Sequence, residues 1–258
     1  MNLKNENNSI IQRGTIEMEN LWFSYEEGHP VLQGVSLTIK NRERFGIIGP
    51  SGAGKSTLLL YLNGILQGEG TVKIGDWEIK KNTLPEIRSR VGMVFQNPDD
   101  QLFNPTVEED IAFGHLNMDL APEEVKSRVK EALKEMRLQG YEKKASHHLS
   151  FGERKRVALA TVLAMKPEIV AFDEPFSNMD PSMVEQLLHI IKDLPATVVI
   201  VSQEIIPVAA CCDRVAVIKD GQIVTTGSSY EVIKDKEMLR SCGLDISIYE
   251  SVCKKIFS

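Results

Sequence analysis

The sequence predicts an α/β fold: a mostly parallel sheet with helices on both faces, preceded by an antiparallel β part and interrupted by an all-helical insert. Three observations predict it. From residue 44 onward, short runs of β-branched and apolar residues alternate with segments of helical periodicity, the pattern of strands joined by crossover helices. One such run, Arg44-Phe-Gly-Ile-Ile-Gly49, opens into a glycine-rich loop and then a helix. Ahead of it, residues 15–39 alternate apolar and polar positions about a Glu27-Gly28-His29-Pro30 turn, as a half-exposed antiparallel pair does.

Taken in order, Ile16, Met18, Leu21 and Phe23 mark a first strand, and Val35, Leu37 and Ile39 a second. Thr57–Leu62 continues the glycine loop as a helix, Gly70–Ile79 reads as a strand pair, and Val91–Phe95 as a further strand. The insert, about residues 97–165, begins with a short helix over Thr106–Phe113. A longer one follows from Pro122, with Val125, Val129, Leu133 and Met136 on one stripe and acids in its first turn. A helix from Ser150, a strand Ile169–Phe172, a helix after Pro181, a strand Val198–Val201, a helix through Cys211 and a strand Arg214–Ile218 restore the alternation. Residues 1–13 read as a flexible leader, 14–227 as the main domain and 228–258 as a small helical extension.

Composition narrows the function. The 258 residues carry 30 Lys+Arg against 36 Asp+Glu, a net charge of −6 without the positive field that generic nucleic-acid binding requires. No apolar run nears the roughly 20 residues that span a bilayer, and the Asn-rich start has no signal-peptide core. Cys211, Cys212, Cys242 and Cys253 lack metal-site spacing and read as reduced thiols, so any business with a membrane is expected from its cytoplasmic face, through a partner. The charge run Glu153-Arg-Lys-Arg156 reads as a solvated helix face.

The chemistry concentrates in two motifs. Gly49, Pro50, Ser51, Gly52, Ala53, Gly54, Lys55, Ser56 and Thr57 fit G-x-x-x-x-G-K-[ST] between a strand and a helix. Glycines there turn successive N–H groups toward phosphate oxygens, Lys55 reaches the β- and γ-phosphates, and the Ser56 hydroxyl holds Mg²⁺. Ile169-Val-Ala-Phe-Asp173-Glu174 places two acids at the end of a buried strand, where open α/β sheets bind ligands. Asp173 is the expected Mg²⁺ carboxylate and Glu174 the group that polarises an attacking water, although alone the pair also fits a helix N-cap. ATP and Mg²⁺ are thus the expected ligands.

With these motifs in order, residues 14–227 resemble the ATP-binding-cassette (ABC) family of P-loop NTPases. Leu149-Ser150-Phe151-Gly152-Glu153 is similar to the family signature LSGGQ, Gln96 to its Q-loop glutamine, and Ser177-Asn178-Met179-Asp180 to its D-loop. Tyr25 stands where the family stacks an aromatic ring on adenine. The resemblance implies a head-to-tail pair of cassettes, with the second copy either this chain or a paralogue. Ser150, Phe151, Gly152 and Glu153 of one cassette would then close on ATP at the other's phosphate loop. It also implies that Gln96 helps hold the metal and takes part in catalysis. Gln96-Asn97-Pro98-Asp99-Asp100-Gln101-Leu102-Phe103, with the tail, is similar to energy-coupling-factor (ECF) importer ATPases, nearest to cobalt- and nickel-import members. That resemblance implies that Asp99, Asp100 and Gln101 meet a transmembrane coupling subunit, that a separate membrane subunit binds the solute, and that the ATPase sits on the cytoplasmic face of the cell membrane. Three residues depart from the pattern: Phe151, Glu153, and Gln203 in place of the switch histidine that contacts the γ-phosphate. Other readings carried forward are an ATPase of another ABC importer class, a soluble ABC protein of translation or repair, and a slow or non-hydrolysing regulatory cassette.

Overall fold

Two sheets of unequal size divide the chain in the computed structural model, which describes residues 14–26, 28–118, 120–244 and 246. The smaller is antiparallel, in the order β2-β1-β4-β5: β1 (Ile16–Ser24), β2 (Pro30–Ile39), β4 (Glu69–Ile74) and β5 (Trp77–Glu78). Ile16 lies opposite Ile39 and Met18 opposite Leu37, so the alternation read from the sequence sets the register. The larger sheet runs β10-β9-β3-β8-β7-β6. Its strands are β3 (Arg44–Ile48), β6 (Val91–Val94), β7 (Ile169–Asp173), β8 (Thr197–Ser202), β9 (Arg214–Lys219) and β10 (Gln222–Ser228). All its pairings are parallel except β9 with β10.

Every residue of β8 is buried, and its side chains divide by parity. Val198 and Ile200 join one core cluster, Val199 and Val201 the other. The face holding Val199 is covered by the antiparallel sheet together with α1 (Lys55–Tyr61) and α2 (Leu84–Arg90). The opposite face is covered by α3 (Val107–Phe113), α4 (Pro122–Glu135), α5 (Phe151–Leu163), α6 (Pro181–Asp193) and α7 (Ile205–Cys211). The sequence-predicted α/β class, with helices on both faces and an antiparallel N-terminal part, is what the structure contains.

Between β6 and β7 the described residues form helices and 3₁₀ turns. Thr106 caps α3 by accepting a hydrogen bond from the Glu109 N–H, and Ser150 caps α5 in a reciprocal box with Glu153. Past β10 come α8 (Ser229–Lys234) and α9 (Lys236–Ser241). Gly243, at φ 77°, ends α9 and lets Leu244 and Ile246 return to the core with Leu239 and Cys242. The expected leader 1–13 and the tail from 247, Cys253 included, lie outside the described residues. Cys211, Cys212 and Cys242 are buried and unpaired. Among the described residues no helix is long and apolar enough to cross a membrane.

Two elements had no sequence expectation. α2 buries one residue, Ile87, too little to create a periodic signal. β10 is a half-exposed edge strand joined to β9 through Asp220 (φ 47°) and Gly221 (φ 76°). That Asp-Gly pair is the turn chemistry of a tight hairpin and was available as a signal.

Candidate active site

Four adjacent parallel strands, β3, β8, β7 and β6, end side by side, and each delivers one part of the site. β3 ends in the Gly49–Thr57 loop. A side chain at Gly49 would strike the Ile218 carbonyl oxygen, so only glycine lets the loop leave the sheet there. Gly54, at φ 98°, turns the chain into α1. Lys55 is buried and donates to the carbonyl oxygens of Gly49 (3.0 Å) and Pro50 (3.1 Å). The ammonium is thereby held across the mouth of the loop. Ser51, Gly52 and Ser56 are exposed, whereas Ala53, Gly54 and Thr57 are buried.

β7 delivers the two acids. The Ser56 hydroxyl donates to Asp173 Oδ1 at 2.9 Å, which brings together the two expected metal ligands. Burial raises the Asp173 pKa, and the Ser56 hydrogen bond opposes that shift. Glu174 takes a left-handed backbone at φ 43°, uncommon outside glycine, and is buried. Its carboxylate accepts from Ser202 Oγ (2.8 Å) and from the Gln203 backbone N–H (3.1 and 3.0 Å), both at the end of β8. Lys55 Nζ stands 3.4 Å from Glu174 Oε1. The phosphate-loop cation and the expected water-polarising carboxylate are therefore already paired.

The Gln203 side chain is exposed, and it is the main chain at this position that touches Glu174. Gln96, just past β6, is exposed and makes no hydrogen bond to Ser56 or Asp173 among the described residues. Tyr25 is 61% exposed, backed edge-on by Phe23, with its hydroxyl 3.3 Å from Thr57 Oγ1. An open aromatic face is thus placed beside the phosphate loop.

The signature segment has its own network. Ser150 Oγ donates to Glu153 Oε2 at 2.7 Å, and Tyr141 donates to Glu153 Oε1 at 2.6 Å. The Tyr141 bond, then those from Ser150, lower the Glu153 pKa to about 2, so a fixed negative charge sits at the start of α5. Phe151 lies under the Arg154 and Lys155 cations, 5.9 and 5.7 Å from its ring centre. A methyl group at Gly152 would press on Met183 Sδ of α6 at 2.9 Å.

Two expectations need correction. Gln101, expected to face a partner, is half-buried and fully engaged within the chain. It donates to the Ala158 carbonyl (2.8 Å) and Thr161 Oγ1 (2.7 Å) and accepts from the Phe95 N–H (3.2 Å). It clamps the segment after β6 onto α5. The charge run 153–156 is not a solvated face either: Lys155 is 4% exposed, and Arg156 Nη1 donates to the Met136 carbonyl at 3.2 Å. Arg154 pairs with Asp99 at 2.9 Å, so Asp99 meets an arginine of its own chain while its side chain stays 60% exposed. Asp100 is exposed. Phe103 (66% exposed) and Phe113 (44% exposed) pack edge to face nearby in sequence, an apolar patch beside the acids.

Residues 32–177 match the ABC transporter family. The chain is 45% identical over 235 residues to the energy-coupling factor transporter ATP-binding protein EcfA of Methanothermobacter thermautotrophicus, a match covering 89% of this chain and 76% of that one. With the protein of the same name from Methanocaldococcus jannaschii it shares 44% identity over 235 residues, 89% of this chain and 84% of the relative. Among solved structures it superposes on cbiO1 of Clostridium perfringens, described as part of the ABC transporter complex cbiONQ. The TM-score is 0.77 at 35% identity, over 93% of this chain and 98% of that one. An ATP-binding cassette solved as a dimer in a post-hydrolysis state with ADP and Pi aligns with a TM-score of 0.76 at 28% identity, over 83% and 98% of the two chains. The strand-end cluster and these likenesses coincide, and the chain belongs to the ABC transporter family as an ATPase of the energy-coupling factor group.

Proposed function

We infer that this ATPase energises uptake of a small solute, a cobalt or nickel ion or a vitamin, captured by a separate membrane subunit. On this reading it works at the cytoplasmic face of the cell membrane, paired with a second cassette and attached to a transmembrane coupling subunit. The observation that carries the hydrolytic part is the Lys55–Glu174–Ser202 cluster beside Ser56–Asp173. The likeness to cbiO1 supports the transport part.

The residues then have definite roles. Residues Gly49–Thr57 wrap the phosphates with loop N–H groups, Lys55 meets the β- and γ-phosphates, and Tyr25 stacks on the base. Ser56 and Asp173, with Gln96, are the hard oxygen donors that Mg²⁺ prefers, few enough to leave room for water and phosphate oxygens. Bound there, Mg²⁺ neutralises phosphate charge during transfer. Glu174 orients and polarises the attacking water. Ser150, Phe151, Gly152 and Glu153 face the nucleotide of the opposite cassette, and among the described residues they make no hydrogen bond to their own phosphate loop.

Gln203 sets the rate in this reading. Its amide donates a hydrogen bond but cannot become cationic, so the γ-phosphate loses a charge that histidine would supply. Gln203→His is expected to raise steady-state turnover by roughly tenfold or more, and Gln203→Ala to lower it several-fold. Equal rates in the three proteins would leave catalysis resting on Glu174 alone. No hydrolysis in any of them would favour the regulatory-cassette reading.

Attachment to the membrane complex is assigned to Asp99, Asp100 and the apolar Phe103–Phe113 patch. An exposed carboxylate already sharing an arginine can accept a second guanidinium in a directional contact. Asp99→Ala is expected to keep ATP binding by the isolated chain and to weaken co-purification with the transmembrane subunit. Unchanged pull-down and unchanged uptake would refute this assignment of the loop. Uptake assays in cells carrying the complete transporter, with and without Glu174→Gln, test the importer reading as a whole.

A further inference from the structure

A buried ammonium is costly, and Lys155 is one of the most enclosed charged groups in the molecule. It sits on α5, five residues past Ser150, yet its side chain leaves the signature and turns toward the strand that carries the acids. Nζ donates to three main-chain oxygens of one turn: Ser177 at 2.6 Å, Pro175 at 2.9 Å and Glu174 at 3.4 Å. Ser177 Oγ lies 3.3 Å from the same nitrogen and itself donates to the Glu174 carbonyl at 2.8 Å. The three N–H bonds of an ammonium are matched by three carbonyls that converge because the turn is unusual. Glu174 (φ 43°) and Asn178 (φ 57°), at its two ends, both adopt left-handed backbone. Among the described residues no carboxylate lies within ion-pair distance of Lys155; Glu204 and Glu174 act on it only at longer range. Burial lowers its pKa and those two acids partly oppose that, leaving it at about 8, so it carries its charge at neutral pH.

The geometry points to Lys155 as a positioning residue for ATP hydrolysis, its ammonium holding the strained turn from which the Glu174 carboxylate projects and fastening that turn to the signature helix. This rests on the assignment of Glu174 given above. Ser202 and the Gln203 N–H fix the carboxylate end of Glu174, and Lys155 fixes its main chain, so the side chain is gripped from both ends. If Lys155 only filled space, an apolar side chain of equal length would serve as well or better. The carbonyls of residues 175 and 177 would then lose this donor, that of residue 174 would keep only its bonds from Ser177, and the turn would relax. A displacement of about 1 Å at a reacting group costs up to about 10²-fold in rate. The same bonds make α5 and the Glu174 turn move as one piece, so closure on the opposite cassette also carries this chain's own water-polarising group.

The test uses the full-length chain, with kcat and KM for MgATP measured alongside thermal unfolding. Lys155→Met is expected to lower kcat by roughly 10–100-fold while KM stays within about twofold, because the phosphate loop is untouched. Lys155→Gln, which returns two N–H donors without charge, is expected to recover part of kcat. Should Lys155→Met fail to fold, Ser177→Ala removes the other side-chain donor to the Glu174 carbonyl, and a several-fold loss of kcat at constant KM is expected. Wild-type kcat in folded Lys155→Met would overturn the positioning role. So would a loss in Lys155→Gln as deep as in Lys155→Met, or, for Ser177→Ala, an unchanged kcat. Failure of the wild-type chain to hydrolyse ATP would instead refute the functional reading on which the role depends, and the positioning role with it.

Discussion

Glu174→Gln is expected to bind ATP about as well as the wild type and to turn it over roughly 10²–10³-fold more slowly. The amide keeps the size of the side chain, so the turn held by Lys155 and Ser177 survives. Its one oxygen, in the place of Oε2, can still accept from both Ser202 and the Gln203 N–H, but the second acceptor that Oε1 offers to the Gln203 N–H is lost. The amide nitrogen is then left facing either a backbone N–H or the Lys55 ammonium, both donors. What disappears is the negative charge that polarises a water, together with the 3.4 Å pairing to Lys55. With hydrolysis blocked, the ATP-bound pair of cassettes should persist, and size-exclusion chromatography with MgATP should show a dimer that the wild type loses over time. Wild-type hydrolysis by purified Glu174→Gln protein would sink the assignment of Glu174.

How much of this was legible in the sequence follows from how the site is built. The phosphate loop and the Asp173-Glu174 pair are contiguous motifs at strand ends, and a continuous apolar strand leading into a polar motif can be read from one line of sequence. The fold class was legible for the same reason, since β8 is buried throughout and β3, β7 and β9 are short runs buried except at their ends. Gln203 marks the limit. Its identity stands out as a departure, but only the structure shows that its backbone N–H, rather than its side chain, secures Glu174. Gln101 was misread because the resemblance assigned it to a partner together with Asp99 and Asp100, whereas long-range bonds to Ala158 and Thr161 absorb it.

Lys155 was misread for the opposite reason. Inside Glu153-Arg-Lys-Arg156 it looks like one charge among several. Yet Lys155, Ala158, Leu159 and Val162 are buried together at i, i+3, i+4 and i+7, the inward stripe of a helix. Extending that stripe back by one turn lands on the lysine. Helical period, tested through a charged run instead of stopping at it, would have flagged the residue. What it could not have supplied is the acceptor set, because the carbonyls of residues 174, 175 and 177 converge in a turn with two left-handed residues that no propensity predicts.

Lys55→Ala is the other substitution with a large expected effect, and it acts on two properties that can be separated. ATP affinity should fall by at least roughly 100-fold, about 2.7 kcal/mol, because a charge-assisted contact from a buried lysine to phosphate is lost. Stability without nucleotide should fall as well. Lys55 and Glu174 are both buried, and removing the cation strands a carboxylate whose remaining partners are a hydroxyl and a backbone N–H. Breaking one side of a buried pair costs on the order of 3–5 kcal/mol where no other donor compensates, and less here because those two hold the carboxylate. The double variant Lys55→Ala/Glu174→Gln removes the stranded charge, so it should unfold at a higher temperature than Lys55→Ala alone while binding ATP no better. Thermal unfolding without added nucleotide and titration with a fluorescent ATP analogue measure the two arms independently. Tight ATP binding by Lys55→Ala would contradict the role given to this lysine. A double variant no more stable than the single would show that Glu174 does not depend on Lys55 for its place in the site.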